Sequence, residues 1–252
     1  MKPDILFEDG HLLVLYKPAG VPVQSADFSR TDCVSMLKNY LHGRNPSAGP
    51  PYLGIVHRLD QPVEGLLVFA LDKNTAASLS KQAAGGGSEG MIKTYLAVRR
   101  MPTNVDSFGD NYTYSVDNWT KCVDYLWKNP KTNRAEIVDG THAGAKKAVL
   151  YYRDLAKDSC LMLTEIRLET GRFHQIRAQM AGMGTPIAGD RKYGPPQLSD
   201  GKNVDKSDVD KSAAFPALCA YKLSFAHPVT GSRMEFKRLP ENQVFHRFIH
   251  IK

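Results

Sequence analysis

The chain predicts an α+β fold: a mixed, largely antiparallel sheet with flanking helices. Strand-like runs outnumber helical ones, and most follow one another with no helix between them. The helical segments are short and stop at glycines. A parallel sheet fits this order less well, because parallel neighbours need long crossover connections.

The elements follow in order. ILFEDG and HLLVLYKPAG form a hairpin-like pair around Asp9-Gly10, and Lys17-Pro18 with Gly20 ends the second run in a turn. DCVSMLKNYLHG sets Val34, Leu37, Tyr40 and Leu41 at helical spacing and closes at Gly43, before the polar loop RNPSAGPP. GIVHRLD and GLLVFAL are apolar runs separated by the turn-like QPVE, and NTAASLSKQA reads as a helix begun by Asn74 and stopped by GGGSEG. Strands are expected at MIKTYLAVRR, AKKAVLYYRDL, CLMLTEIRLE, ALCAYKLSFAHP and MEFKRL, with a further helix at FHQIRAQMAGMG. Pro102 to Gly144, rich in Asn, Asp and Thr, reads as an excursion from the sheet. Pro195 to Ala214, polar with alternating charge, reads as a mobile surface loop. With no internal repeat and no linker long enough to mark a boundary, residues 1–252 read as one domain.

Composition narrows the function. A hydrophobic content of 42% over 252 residues can bury a sizeable core. The 33 Lys and Arg against 26 Asp and Glu leave a net charge of +7, which fits a polyanionic partner such as nucleic acid as well as it fits a plain basic enzyme. No apolar run approaches the roughly 20 residues that span a bilayer. MKPDILFEDG is not a signal peptide, so a cytoplasmic protein is expected, without a membrane partner. Cys33, Cys122, Cys160 and Cys219 never fall in a short-spaced pair, and the nearest histidines, His246 and His250, lack acidic company. Reduced cysteines and no catalytic metal are therefore expected.

His57-Arg58-Leu59-Asp60, inside YLGIVHRLDQPVEGLLVFALDK, sets charges in an apolar surrounding. Charge in such a place commonly serves chemistry. Asp60 could be a structural ion pair, a metal ligand, a general base or a carboxylate nucleophile.

HRLDQPVEGLLVFA, KTYLAV, TGRFHQIRAQMAGMGTPIAGDRKYG and LSFAHPVTG occur in the order and approximate spacing of the RluA-type pseudouridine synthases, and EDGHLLVLYKPAGVPV also resembles that family's opening. The resemblance covers almost all of the chain outside 102–144 and 195–214. It implies the pseudouridine synthase fold with a central active-site cleft, and an enzyme that turns uridine into pseudouridine in ribosomal or transfer RNA without cofactor or metal. By the same resemblance Asp60 is the catalytic carboxylate, either attacking the sugar or abstracting a sugar proton. Arg177 is its ion-pair arginine, supplying the fixed positive charge that an ionised carboxylate needs in a partly apolar cleft. Tyr95 stacks on the uracil ring, a safer role than that of base for a phenol with an ordinary pKa of about 10. Leu218 lines the base pocket, and Arg58 fills the space left by the flipped nucleotide. His57, Arg172, His174 and Gln175 hold the surroundings of the site. If GIVHRLD is a strand, Arg58 and Asp60 share one side of it.

The chain also departs from the pattern. Val63-Glu64 replaces a common Thr-Ser, and Glu64 facing the cleft would repel phosphate and disfavour an ionised Asp60. Cys219 stands where a histidine is common, and GGGSEG replaces a basic stretch before KTY. A monomer is expected, with no appended N-terminal RNA-binding domain. Two other readings are a catalytically weak RNA-binding protein that retains the fold, and a glycosidase-like hydrolase pairing Asp60 with Glu64 or Asp72.

Overall fold

The computed structural model describes residues 2–27, 29–85, 90–101, 118–194 and 214–248. Its strands are β1 (Asp4–Glu8), β2 (Leu12–Lys17), β3 (Gly54–Ile55), β4 (Glu64–Ala70), β5 (Ile92–Arg100), β6 (Thr120–Asn129), β7 (Arg134–Val138), β8 (Lys146–Lys157), β9 (Leu161–Leu168), β10 (Leu218–Ala226) and β11 (Arg233–Lys237). The helices are α1 (Cys33–Arg44), α2 (Lys73–Ala84) and α3 (Gln175–Gly182). Helices are few and strands mostly sequential, so the α+β class predicted from the sequence is the observed one. No described helix is long and apolar enough to cross a membrane.

By its internal packing the chain divides into two compact units. One holds Met1–Thr94 and Cys219–Pro240, the other Tyr95–Leu218 and Glu241–Lys252. Two of the boundaries fall inside β5 and β10, so there is no polar linker for the sequence to betray.

In the first unit β2 pairs antiparallel with β1 and β4, β3 antiparallel with β4, β10 parallel with β4, and β11 antiparallel with β10. Every residue of β2 and β4 is buried, which is why both read as continuous apolar runs rather than as alternation. Asp9 closes the β1–β2 turn as the hairpin reading requires, its Oδ1 accepting from the amides of His11 at 2.7 Å and Leu12 at 2.9 Å. Gly65, at φ +131°, lies where a Cβ would meet the Ala220 backbone at 2.5 Å, so the parallel β4–β10 approach requires glycine there.

Both helices of this unit start on an aspartate. Asp32 caps α1 through the Ser35 amide at 2.6 Å, and Asp72 caps α2 through the Thr75 amide at 2.8 Å. The expected start of the second helix at Asn74 is thus corrected to Lys73, because the better-placed acceptor is the carboxylate two residues earlier. α1 runs one residue past Gly43.

In the second unit the strands lie in the order β5-β9-β8-β6-β7, and the pairs among β6 to β9 are antiparallel. The Pro102–Gly144 stretch, read from sequence as an excursion, carries β6 and β7 in its described part, paired to β8 and to each other. Leu126 of β6 and Ala135 of β7 pack with Ala148, Ala178 and Tyr193 in one apolar cluster. Its Asn and Asp content masked the alternation that puts Cys122, Asp124 and Leu126 on the face toward α3. Residues 195–213 of the expected mobile loop lie outside the described residues.

A fully buried Arg99 ties β5 to its neighbours. It donates to Asp154 at 2.6 Å, Thr164 at 2.8 Å and Thr185 at 2.8 Å, a buried charge with its hydrogen bonds largely satisfied.

Candidate active site

The HRLD segment is not a strand. β3 ends at Ile55, and residues 56–63 run as a loop into β4. The expected strand fails here because the loop's polar groups bond elsewhere than in a ladder. The shared-side inference for Arg58 and Asp60 therefore falls: Arg58 is exposed, Leu59 buried and Asp60 half-buried.

This loop is anchored through its main chain. The carbonyl of Gln61 accepts from the Gly20 amide at 2.9 Å and from the Lys17 ammonium at 3.0 Å, and the Gln61 side chain donates back to the Gly20 carbonyl at 3.0 Å. The Asp60 carbonyl accepts from the Val63 amide at 3.0 Å. Lys17 is 0% exposed and donates also to the carbonyls of Pro18 at 2.9 Å and Val21 at 2.8 Å, so one ammonium joins the turn after β2 to the Asp60 loop. Burial pushes its pKa down to about 8, against an upward pull from Cys33, Asp60 and Glu64.

His57 is neutral, its pKa pushed down to about 3 by burial, with the positive charge of Lys93 adding to the effect. Its Nε2 lies 3.4 Å from the Val68 amide, a long contact in which the ring accepts and the proton sits on Nδ1. Glu64 is buried, and the Tyr16 hydroxyl is hydrogen-bonded to it. Burial, then the neighbouring Cys219 and Glu64, push the Tyr16 pKa upward and keep the phenol neutral. Glu64 thus lies beside Tyr16 and Lys17.

In the second unit the TGRFHQ segment folds into a closed turn. The Gln175 Oε1 accepts from Thr170 Oγ1 at 2.8 Å and from the Arg172 amide at 2.9 Å, and its Nε2 donates to the Val149 carbonyl at 3.1 Å. Arg172 is exposed, and its Nε donates to the Lys147 carbonyl at 2.9 Å. His174 precedes α3 in the left-handed region at φ 51° and ψ 26°, stacked on Phe173 with ring centroids 3.7 Å apart. The Tyr193 hydroxyl accepts from the Ala135 amide at 2.6 Å and is hydrogen-bonded to His174 Nδ1 at 2.8 Å. Arg177, in the first turn of α3, is buried and forks onto Asp190, with Nε to Oδ2 at 2.7 Å and Nη2 to Oδ1 at 2.8 Å. Tyr95 on β5 and Leu218 at the start of β10 are buried strand residues of the same unit.

The structure thus gathers His57, Arg58 and Asp60 on one loop of the first unit, and Arg172, His174, Gln175 and Arg177 around the start of α3 in the second. Sequence reasoning missed Lys17, Asp190 and Tyr193. A lysine ending an all-apolar strand was one available signal, and an aspartate after the apolar TPIAG was another. Among the described residues no group of three or more His, Cys, Asp or Glu is placed to hold a metal ion.

A family model described as RNA pseudouridylate synthase matches residues 11–182. The chain is 33% identical over 248 residues to the ribosomal large subunit pseudouridine synthase D of Neisseria meningitidis serogroup B, covering 98% of this chain but 60% of that protein. It is 31% identical to the enzyme of the same name from Zymomonas mobilis, covering 92% of this chain and 68% of that one. The solved human RNA pseudouridylate synthase domain containing 4 superposes with a TM-score of 0.68 at 22% identity, over 97% of this chain and 92% of that one, a likeness of fold.

Proposed function

Because the chain belongs to the RNA pseudouridylate synthase family, we propose that it isomerises uridine to pseudouridine in RNA, with Asp60 as the carboxylate that opens the reaction. The observation that carries the reading is the Asp60 loop, a half-exposed carboxylate on a backbone pinned by a buried ammonium, within the segment the family model matches.

The isomerisation breaks the bond between uracil N1 and ribose C1′, turns the base, joins C5 to C1′, and transfers the C5 proton to N1 or solvent. No atom is gained or lost, so no redox cofactor is required. Asp60 serves the first step by attacking C1′ or by taking the C2′ proton to give a glycal, and either route needs an anion whose position is fixed beforehand. By the family pattern Arg177 is assigned the fixed positive charge of the reaction, and Tyr95 and Leu218 the apolar contacts of the turning ring. Exposed Arg58 faces the RNA and occupies the stack when the base leaves it. His57 holds the loop against β4, while Arg172, His174 and Gln175 shape the start of α3.

The relatives' names favour large-subunit ribosomal RNA as the substrate; transfer RNA is the second candidate from the family resemblance, and a cytoplasmic monomer working without metal completes the proposal. Incubating the protein with unmodified large-subunit ribosomal RNA or transfer RNA and mapping pseudouridine tests the proposal. Wild type should modify discrete uridines and Asp60→Ala none. Equal modification by both would remove Asp60 from the chemistry, and release of free uracil would favour a hydrolase. Binding should weaken as salt rises, since phosphate contacts release counterions.

A further inference from the structure

We infer that Asp190 and Tyr193 are positioning residues for Arg177, gripping the side chain at its tip and at its root so that one edge of the guanidinium is presented in a fixed direction. The inference rests on the proposed function only for what that edge then acts upon.

The grip at the tip comes from the turn after α3. The chain reverses at Gly184 and is pinned beside β5, where the Ala188 amide donates to the Val98 carbonyl at 2.9 Å. That places Asp190 against the first turn of α3. Its carboxylate is held by its own turn, because Oδ1 also accepts from the amides of Lys192 at 2.9 Å and Tyr193 at 3.1 Å. The plane of the carboxylate is set by its own turn, and the fork sets the plane of the guanidinium. The Tyr193 ring lies 5.1 Å from Arg177 Cζ and restrains its tilt. Bonding along the Nε/Nη2 side directs the opposite end, Nη1 and the second Nη2 hydrogen, away from Asp190.

The grip at the root comes through His174. A non-glycine residue in the left-handed region stores strain of about 1–3 kcal/mol and persists only where its surroundings over-determine it. Here the Tyr193 hydroxyl and the Phe173 ring do so. Because His174 immediately precedes α3, its backbone sets the rotation at which the helix begins, and hence the direction in which Arg177 leaves it. Residues 190–193 therefore fix both ends of one side chain. An ion pair serving stability alone would need only the fork.

Asp190→Asn and Tyr193→Phe test this, each measured for single-turnover pseudouridine formation, RNA affinity and the NMR signal of the Arg177 Nε–H. In Asp190→Asn an amide NH2 meets the arginine N–H groups. The rate should fall about 100-fold, the scale of a small misplacement, with the Kd unchanged and the Nε–H signal lost to exchange. Tyr193→Phe, which removes one oxygen, should lose about tenfold in rate at the same Kd. A folded Asp190→Asn with the wild-type rate overturns the inference. If Asp190→Asn does not fold, Tyr193→Phe decides, and a wild-type rate there overturns it. Should wild type form no pseudouridine, the proposed function fails instead, and the Nε–H signal judges the grip: loss in Asp190→Asn upholds it, persistence overturns it.

Discussion

The loop that carries Asp60 is anchored through main-chain atoms, with Lys17 and Gly20 holding the Gln61 carbonyl and Val63 holding that of Asp60 itself. Around Arg177 the anchoring contacts run to the functional group, through the Asp190 fork and the Tyr193 ring. The contrast follows from what each group has to do. A carboxylate that attacks or takes a proton must sit in a position fixed beforehand, and the main-chain bonds fix the backbone that carries it. A guanidinium acts by direction, and has donors enough to spend some on being aimed. One consequence is energetic: Asp60→Asn leaves the main-chain anchors in place, whereas the Arg177 side chain is itself part of the core.

The largest expected effect tests the first half of that contrast. Asp60→Asn keeps the main-chain anchors and should lower pseudouridine formation by about 10⁴-fold, as loss of a reacting group does. Its melting temperature should stay close to wild type. A steep fall in melting temperature with residual activity would make Asp60 a structural ion pair and collapse the comparison.

Arg177→Met tests the other half. It strands the Asp190 carboxylate, which is fully shielded from solvent. Breaking a buried pair from one side should cost about 3–5 kcal/mol in urea unfolding, more than Asp60→Asn costs. A loss below about 1 kcal/mol, the range of exposed pairs, would mean that the fork is not part of the core.

How far the sequence discloses these two regions differs for a physical reason. The α+β class and the strands other than β6 and β7 are legible because hydrophobic periodicity and turn residues are local signals. The cap of α2 was misplaced because Asp72, Lys73 and Asn74 offer two competing oxygens within one turn. HRLD reads as strand because its apolar neighbours do not reveal that the Asp60 loop bonds to the turn after β2. Lys17 shows the same gap: a lysine before a proline reads only as the start of a turn, and its three carbonyl partners come from that turn and from Gln61. Asp190 and Tyr193 sat inside a recognised motif, but what each one grips depends on where α3 starts, and that start needs a left-handed histidine which helix propensity argues against.

Lys17 gives the smallest predicted effect, with stability and activity moving in opposite directions. Its folded pKa, about 8, lies below the ordinary 10.5, so the folded chain sheds this proton before the unfolded chain does. Below pH 8 the buried charge costs the fold up to about 3 kcal/mol, and that cost fades as pH rises from about 8 to 10.5. Relative to Lys17→Met, in which nothing titrates, wild-type stability should therefore climb across this window. The neutral amine, however, has two hydrogens for three carbonyls, so one anchor between the turn after β2 and the Asp60 loop is released as the proton leaves. Wild-type pseudouridine formation should fall above about pH 8 relative to Lys17→Met, whose lower rate should lack that inflection. Parallel pH profiles for the two proteins would show that Lys17 does not hold the loop by its charge, and the main-chain half of the comparison would then rest on Gly20 and Val63 alone.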